Sequence, residues 1–318
     1  MWYGGAFAAI HAIQKETEYM TIKWYPGHMS KALEQISELV RKIDVIIEVL
    51  DARLPFSSSN HLLEQVRRNK PCIKVLNKND LADPAVTRAW VQHFQKASGV
   101  RALPLVAKNI PEAKNLVKLI KQVCPNRGNP GYPIRTMVVG IPNVGKSTLI
   151  NTLAGKSIAK VGDKPAVTLK PQQIDLRNGI LLFDTPGLLW PVMDDQGGAY
   201  RLAASGAIGA NALDYTNVGV FAAAYMMRRY PELLKERYKL DELPELPYEM
   251  VEAVGRCLGC LMTGGVVDVH RAAETFLREL RAGKAGRISF EEPGTPADIE
   301  AELLKMAGIE QRPQEQIF

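Results

Sequence analysis

The amino-acid sequence predicts an α/β domain with a mostly parallel sheet and helices on both faces, followed by a smaller all-helical domain. Three observations lead to this expectation. Short apolar runs rich in β-branched residues alternate with segments of helical periodicity in the first part of the chain. The strand pattern fades after about residue 195. The length of 318 residues exceeds that of a typical single domain.

The elements follow one another in a regular order. Strands are predicted at 45–50, 72–76, 102–106 and 134–139, with a hairpin of 173–176 and 180–183. Helical spacing of apolar residues covers 29–43, 85–97, 111–123 and 146–154, and later 198–212, 217–229, 247–262, 267–282 and 296–307. A Pro-, Gly- and Asn-rich stretch at 124–133 reads as a connector. We therefore divide the chain into an extension or tail (1–21), the α/β domain (22–192), a helical domain (193–290) and a carboxyl-terminal helix with a tail (291–318).

Composition excludes several classes of protein. With 46% apolar and 23% charged residues, the chain is neither disordered nor collagen-like. The net charge of +6 conceals a division, because residues 1–189 carry 26 basic and 14 acidic side chains while residues 190–318 carry 14 and 20. The surplus of positive charge in the first part indicates an anionic partner.

Four cysteines are too few for a disulfide framework in a chain of this length. Cys257 and Cys260 form a C-x-x-C inside an apolar stretch; we interpret them as two small core thiols, with half a zinc site or a redox pair as the alternatives. No apolar run approaches the roughly 18–20 residues of a membrane span, and the amino terminus lacks the pattern of a secretory signal. We expect a cytoplasmic protein with no membrane contact.

The strongest motif is Gly140-Ile-Pro-Asn-Val-Gly145-Lys146-Ser147, which fits G-x-x-x-x-G-K-[ST] between a predicted strand and a predicted helix. Glycines allow consecutive backbone N–H groups to turn towards phosphate oxygens, and the helix amino terminus adds partial positive charge. Lys146 would reach the terminal phosphates, and the Ser147 hydroxyl would bind Mg²⁺. The predicted phosphate-binding residues are Asn143, Val144, Gly145, Lys146, Ser147 and Thr148.

A second phosphate motif, Asp184-Thr-Pro-Gly187, ends the 180–183 strand. Its carboxylate would hold a water bound to Mg²⁺, and the Gly187 N–H would meet the γ-phosphate. Thr168, between the two motifs, is the candidate switch threonine for the Mg²⁺ shell, although a threonine in such a place is most often an ordinary loop residue.

Asn77-Lys78-Asn79-Asp80 fits N-K-x-D and follows a predicted buried strand. The Asp80 carboxylate would accept from guanine N1–H and the exocyclic amine together, which adenine does not offer. We expect Asn77 to meet the other base edge and the Lys78 stem to cover the ring. The predicted base-binding residues are Asn77, Lys78, Asn79, Asp80, Val106, Ala107 and Lys108. In a chain with a P-loop, this motif selects GTP over ATP.

The order of these motifs is unusual, because the base motifs (77–80 and 106–108) precede the P-loop, Thr168 and D-x-x-G. In ordinary GTPases the phosphate motifs come first. A circular permutation explains the order G4-G5-G1-G2-G3 if the connector 124–133 joins the former ends. The new break then follows D-x-x-G, so the nucleotide-sensing segment leads directly into the second domain.

This order, together with three further motifs, is similar to the YlqF/RbgA type of ribosome biogenesis GTPase. The motifs are Trp24-Tyr-Pro-Gly-His28-Met-Ser-Lys31-Ala, Asp51-Ala-Arg53-Leu-Pro55 and Asp184-Thr-Pro-Gly-Leu-Leu-Trp-Pro191, and the resemblance covers roughly residues 22–285. It implies a GTP-hydrolysing factor, slow alone, that acts late in the assembly of the large (50S) ribosomal subunit, is stimulated by that particle and is released by hydrolysis. It also implies a helical second domain that binds rRNA. We expect a monomer.

Catalysis poses a specific question, because Leu188 occupies the position where many GTPases place a water-orienting glutamine. The resemblance implies that His28 supplies this function; as a lone histidine it would otherwise be read as a surface or capping residue. Asn143 resembles the asparagine that helps to bind K⁺ in potassium-stimulated GTPases. Arg53 is a further candidate for phosphate or rRNA contact, with a plain salt bridge as the alternative.

In the acidic second domain, Arg271, Arg278 and Arg281 fall within about 80° on a predicted helix. A solvated charged face is the simplest reading, and the family resemblance favours rRNA contact. Two other functions remain open at this point: a GTPase acting on another RNA in translation or tRNA modification, and a nucleotide-dependent scaffold without catalysis.

Overall fold

The computed structural model describes residues 38–67, 69–157, 172–185, 196–208, 214–295 and 297–309. Within these ranges the chain forms a sheet flanked by helices, followed by a helical part at the carboxyl end. The predicted fold class is thereby confirmed. Of the predicted helix at 29–43, residues 29–37 lie outside the described residues.

The described sheet has the strand order β3-β2-β1-β4-β6-β5. All neighbours are parallel except β5, which is antiparallel to β6. The strands are β1 (Val45–Asp51), β2 (Cys72–Asn77), β3 (Val100–Pro104), β4 (Ile134–Gly140), β5 (Gln172–Asp175) and β6 (Ile180–Asp184). Strand β3 ends two residues earlier than predicted, because the Val106 N–H leaves the ladder for the Glu112 carboxylate at 2.6 Å.

Strand β1 lies at the centre of the sheet, and each of its residues is buried. Its apolar, β-branched composition suits a strand covered on both faces. Two residues of β1 are charged, Asp51 at its end and Glu48 in its middle, and Glu48 lies beside Lys74 in the register with β2. The Lys74 ammonium donates to Glu48 Oε2 at 2.5 Å and to Ser59 Oγ at 3.1 Å, so neither charge is buried without a partner.

Helices α1 (His61–Val66), α2 (Pro84–Gln95), α3 (Ile110–Val123) and α4 (Lys146–Ala154) connect the strands. Asp83 and Asn109 accept from backbone N–H groups at the starts of α2 and α3, and a proline in the first turn of each needs no hydrogen-bond acceptor. Helix α1 was not predicted, because six residues are too few to show a helical period.

The helical part contains α5 (Gln196–Ser205), α6 (Tyr215–Arg229), α7 (Pro231–Tyr238), α8 (Pro247–Cys257), α9 (Val269–Arg281) and α10 (Ala297–Met306). Helix α6 packs against α5, α8, α9 and α10. A Cβ atom on Gly219 would lie 2.6 Å from the Ala273 Cβ, so α6 and α9 approach as closely as a glycine permits. The helical part therefore has its own tightly packed centre on α6.

Three expectations for this part were wrong in detail. Helix α5 ends well before residue 212, because Gly206 adopts a φ of +83°. Helix α8 ends before residue 262 for the same reason, with Gly259 at +69°. Cys257 is exposed, so only Cys260 is the core thiol that we expected. Helix α7 was not predicted.

Among the described helices, none is both long and apolar enough to cross a membrane.

The sheet topology brings the sequence motifs together at one edge of the sheet. Because β1, β2, β3, β4 and β6 are parallel, their carboxyl ends lie at one edge of the sheet. The chain runs outward from β1 to β3 and then returns to the other side of β1 with β4. The segments after β1 and β4 consequently meet at the point where the strand order reverses, which is where α/β sheets commonly bind ligands.

Candidate functional site

A single side chain joins the base motif to the phosphate motif. Asn77 ends β2, and its Oδ1 accepts from the Ala107 N–H at 2.8 Å. Its Nδ2 donates to the Val144 carbonyl oxygen of the P-loop at 2.7 Å. These two bonds fix three segments of the site to one another, and the expected contact of Asn77 with the base stays a prediction.

The P-loop between β4 and α4 has the backbone form that the motif predicts. Asn143 and Gly145 have φ values of +57° and +95°, and Lys146 is the first residue of α4. A Cβ atom on Gly145 would lie 2.3 Å from Asn77 Nδ2. The glycine is therefore required twice, once for its dihedral angle and once for the space that the Asn77 amide fills.

Lys146 is buried, and its ammonium is hydrogen-bonded to Asp184 Oδ1 at the end of β6. The second oxygen, Asp184 Oδ2, is buried and accepts no hydrogen bond from the described residues. Asp184 bonds to Lys146, and the half-buried Ser147 follows Lys146 directly in the chain. A carboxylate and a hydroxyl are oxygen donors of the kind that Mg²⁺ prefers. The residues present therefore fit a magnesium ion.

The lysine of N-K-x-D has a defined partner. Lys78 adopts a φ of +60°, and its Nζ lies 2.9 Å from Asp51 Oδ2. Asp51 is held in turn by Arg53, whose Nε and Nη2 donate to its two carboxylate oxygens at 2.9 and 2.8 Å. Arg53 is 1% exposed and paired with Asp51, so the structure supports the salt-bridge alternative for this side chain.

Burial acts to raise the pKa of the Asp51 carboxyl, but the Arg53 guanidinium and the Lys78 ammonium outweigh it and hold the pKa well below the ordinary value of 3.8. The carboxylate is thus ionised throughout the neutral range and keeps Lys78 in place. The sequence pattern indicated that Asp51-Ala-Arg53 follows a buried strand, but it did not indicate that this motif supports the lysine 27 positions later.

The carboxyl end of α5 is bound from two sides. Asn143 Nδ2 of the P-loop donates to the Gly206 carbonyl oxygen at 3.0 Å. Arg281 donates through Nε to the Ala204 oxygen at 2.9 Å and through Nη2 to the Ala203 oxygen at 2.8 Å. A cation is favourable there, because the last helical carbonyls carry partial negative charge. The guanidinium of Arg281, which we expected to contact rRNA, is therefore engaged within the protein.

A buried ion pair connects α5 to the segment after α9. Arg201 Nε lies 3.1 Å from Glu291 Oε2 and donates to Ser57 Oγ at 2.9 Å. Glu291 also accepts from the Ser57 N–H and hydroxyl, at 3.0 and 2.7 Å. Burial raises the pKa of the Glu291 carboxyl, and the nearby Arg201 charge opposes the shift. No motif marked Glu291 or Ser57, because each is an ordinary residue type in a loop.

The other predicted residues divide into three groups. Asp80 and Lys108 are exposed at the site edge, Val106 and Thr148 are half-buried, and Asn79 lies between Lys78 and Asp80. Arg271 and Arg278 are exposed on α9, where Arg278 pairs with Glu274 at 3.0 Å. Three predicted residues lie outside the described residues: His28, Thr168 and Gly187.

The chain matches the family model of the 50S ribosome-binding GTPase over residues 135–218. It is 47% identical over 281 residues to ribosome biogenesis GTPase A of Bacillus cereus, which covers 86% of this chain and 95% of the relative. The protein of the same name from Thermotoga maritima is 34% identical over 284 residues, 89% of this chain and 99% of the relative. The crystal structure of GNP-bound YlqF from T. maritima has a TM-score of 0.59 at 30% identity and covers 84% of this chain and 100% of that one. Matches of this extent span both the sheet and the helical part.

Replacing Gly145 with alanine tests the close contact between the Asn77 side chain and the P-loop. We expect Gly145→Ala to weaken GDP affinity by at least about tenfold, because the added methyl group collides with the Asn77 amide at a positive φ. Isothermal titration calorimetry measures the affinity. The matched control is Gly155→Ala at the other end of α4, where φ is +66° and no atom of the described residues lies within 4 Å of the added Cβ. Equal affinities in the two variants would contradict this account.

The ion pairs of Asp51 with Arg53 and Lys78 should make a pH-dependent contribution to stability. Since the pKa of Asp51 is lowered in the folded state, the contribution is complete above the ordinary value of 3.8 and is lost as the pH falls further. Asp51→Asn should lower the free energy of unfolding by about 3 kcal/mol near neutral pH, and the difference from wild type should shrink below about pH 4. Urea unfolding across this range measures it, with exposed Asp241→Asn as control. A difference that stays constant in acid would refute the assignment.

Proposed function

Because the chain belongs to the ribosome biogenesis GTPase A family, we propose that it binds the immature large (50S) ribosomal subunit, promotes a late step of its maturation and leaves when GTP is hydrolysed. The chain is a GTPase, as the family is. The observation that carries the proposal is its close relation, over most of its length, to proteins named as ribosome biogenesis GTPases. We propose that it acts in the cytoplasm as a monomer.

A physical link between the nucleotide site and the helical part supports a GTP-dependent cycle. Helix α5 follows the D-x-x-G segment in the chain, and its carboxyl end contacts the P-loop through Asn143. The same helix is tied to Glu291 through Arg201. A change in the segment around Asp184 would therefore be passed along α5 into the helices, which is the arrangement that a nucleotide-dependent release requires.

We assign the chemistry of the site largely to positioning and charge stabilisation, as in other phosphoryl-transfer enzymes. Lys146 and the N–H groups at the start of α4 would bind the phosphates. Ser147 and Asp184 would hold Mg²⁺, with Thr168 as the proposed third ligand; when bound, the ion offsets charge on the phosphate oxygens. We keep the proposal that Asn143 lies beside a K⁺ ion, since its bond to Gly206 uses Nδ2 and a cation would bind the amide oxygen instead.

Activation of water is assigned to His28. Leu188 has no polar group to orient a nucleophile, and His28 belongs to the P-G-H motif that resembles the one in the family. An imidazole with a pKa near the operating pH can accept or share the proton of an attacking water. We propose that the ribosomal particle brings this group into use, which is why hydrolysis would be slow without it.

For rRNA we propose contact at Arg271 and Arg278, the two exposed arginines of α9. Arginine is well suited to phosphate, because its planar group donates two hydrogen bonds at once. The first part of the chain, with 26 basic and 14 acidic side chains up to residue 189, would add to the attraction. Binding of this kind should weaken steeply as salt is raised.

Sedimentation with ribosomal particles tests the proposed partner. We expect the protein to travel with large subunits in a non-hydrolysable GTP analogue and to leave them in GDP, because the nucleotide state reaches the helices through α5. Sucrose gradients of purified 50S precursors, mature 50S and 30S particles provide the comparison. Co-migration with 30S particles, or equal binding to large subunits in both nucleotides, would contradict the proposal.

The role of His28 has a separate test. His28→Ala should bind GDP as tightly as wild type but lose the stimulation of hydrolysis by large subunits, by about 100-fold if the group acts as general base. Phosphate release with and without particles measures the rate. His93→Ala, in the exposed last turn of α2, is the control histidine. Full stimulation in His28→Ala would show that another group activates water.

A further inference from the structure

The loop that carries the base motif is covered by a short segment from the far end of the chain. We name residues 287–291, which follow α9, the carboxyl-terminal strap. Three of its residues make four hydrogen bonds to the loop after β2. Arg287 donates to the Asn79 oxygen at 2.7 Å and to the Ala82 oxygen at 2.8 Å. The Ile288 N–H donates to the Leu81 oxygen at 2.9 Å.

The fourth bond, from the Asp83 N–H to Ser289 Oγ at 3.2 Å, closes the far side of the loop. The strap thus binds backbone groups on both sides of Asp80, at residue 79 before it and at residues 81, 82 and 83 after it. Other described bonds also hold this loop: the Asn79 N–H donates to the Leu105 oxygen, the Leu81 N–H donates to the Lys78 oxygen within the loop, and Lys78 Nζ donates to Asp51 Oδ2. The strap adds four bonds that reach the loop on both sides of Asp80.

The strap is itself a firm support. Ile288, Ser289 and Phe290 are each 1% exposed or less. The Ser289 N–H donates to the Tyr230 hydroxyl at 3.1 Å, and the Phe290 N–H donates to the Arg53 oxygen at 2.7 Å. A segment anchored in this way can hold a loop in one conformation, whereas an exposed tail would move with it.

Within the strap, Arg287 has the geometry of a clamp. Its Nε and Nη2 lie in one rigid plane, so the two carbonyl groups that they bind, at Asn79 and Ala82, must keep a fixed separation. A lysine in the same place has a single ammonium on a flexible stem and imposes no such spacing. Asp80 lies between the two clamped carbonyls, so its backbone direction depends on this spacing.

We propose that Arg287 is a positioning residue for guanine recognition, which it serves by fixing the loop so that the Asp80 carboxylate faces the base. The inference rests on the proposed role of Asp80 as the group that accepts from guanine N1–H and the exocyclic amine. Arg287 reaches the nucleotide only through the loop. It contributes to selection of the base and not to binding of the phosphates.

The test compares GDP with inosine diphosphate, which has the same ribose and phosphates but lacks the exocyclic amine. Binding of each is measured by titration calorimetry for wild type, Arg287→Ala, Arg287→Lys and the control Arg256→Ala, an exposed arginine of α8. We expect the GDP preference to fall about threefold to tenfold in Arg287→Ala, as for loss of one or two solvent-accessible hydrogen bonds. Arg287→Lys should give an intermediate preference, and Arg256→Ala should keep the wild-type preference.

The outcomes distinguish a failure of the Arg287 role from a failure of the Asp80 role. If wild type prefers GDP and Arg287→Ala keeps that preference in full, Arg287 is not a positioning residue, whatever happens to thermal stability. If wild type itself shows no preference, the role of Asp80 fails and this inference fails with it. The proposal is supported if the preference for GDP over inosine diphosphate is smaller in Arg287→Ala than in wild type while the melting temperature stays close to the wild-type value.

Discussion

The nucleotide site depends on one amide group. Asn77 stands at the end of β2, and its two polar atoms bind the Ala107 N–H and the Val144 oxygen. The base motifs lie on one side of β1 and the phosphate motifs on the other, so this amide spans the point where the strand order reverses. It also dictates the residue opposite, because Gly145 leaves the space that Asn77 Nδ2 takes. The side chain of Asn77 therefore requires a glycine at position 145, although the two residues belong to different motifs.

The helical part completes the α/β domain, although the two appear separate in the sequence. Glu291 is buried against Ser57 and Arg201, and Phe290 donates its N–H to the Arg53 oxygen. A division of the chain after residue 290 passes through this buried segment. One set of hydrogen bonds consequently joins the D-A-R-x-P loop, α5 and the strap. A displacement of one of these segments would strain the bonds to the other two.

Local pattern was sufficient where a residue's neighbours in sequence are also its neighbours in space. The strands β1, β2, β4 and β6 could be predicted because buried parallel strands are short apolar runs, and the P-loop because its glycines serve a local turn. The contact of Arg281 with the end of α5 could not be predicted, because only the tertiary fold brings the two together. Asp51 and Glu291 could not be assigned, since their partners are 27 and 234 positions away. Helix ends at Gly206 and Gly259 were visible in the sequence, and we extended the helices past them.

The carboxyl-terminal strap has a consequence for the order in which the protein matures during its own synthesis. The permutation places the base motif early, so residues 77–80 leave the ribosomal tunnel before the P-loop has been made. Domains tend to fold as units as the chain emerges. Here the loop around Asp80 gains its outer support only when residues 287–289 arrive, more than 200 positions later. A nascent chain can therefore form the sheet while the loop around Asp80 still lacks these bonds, and a fragment ending before the strap would continue to lack them.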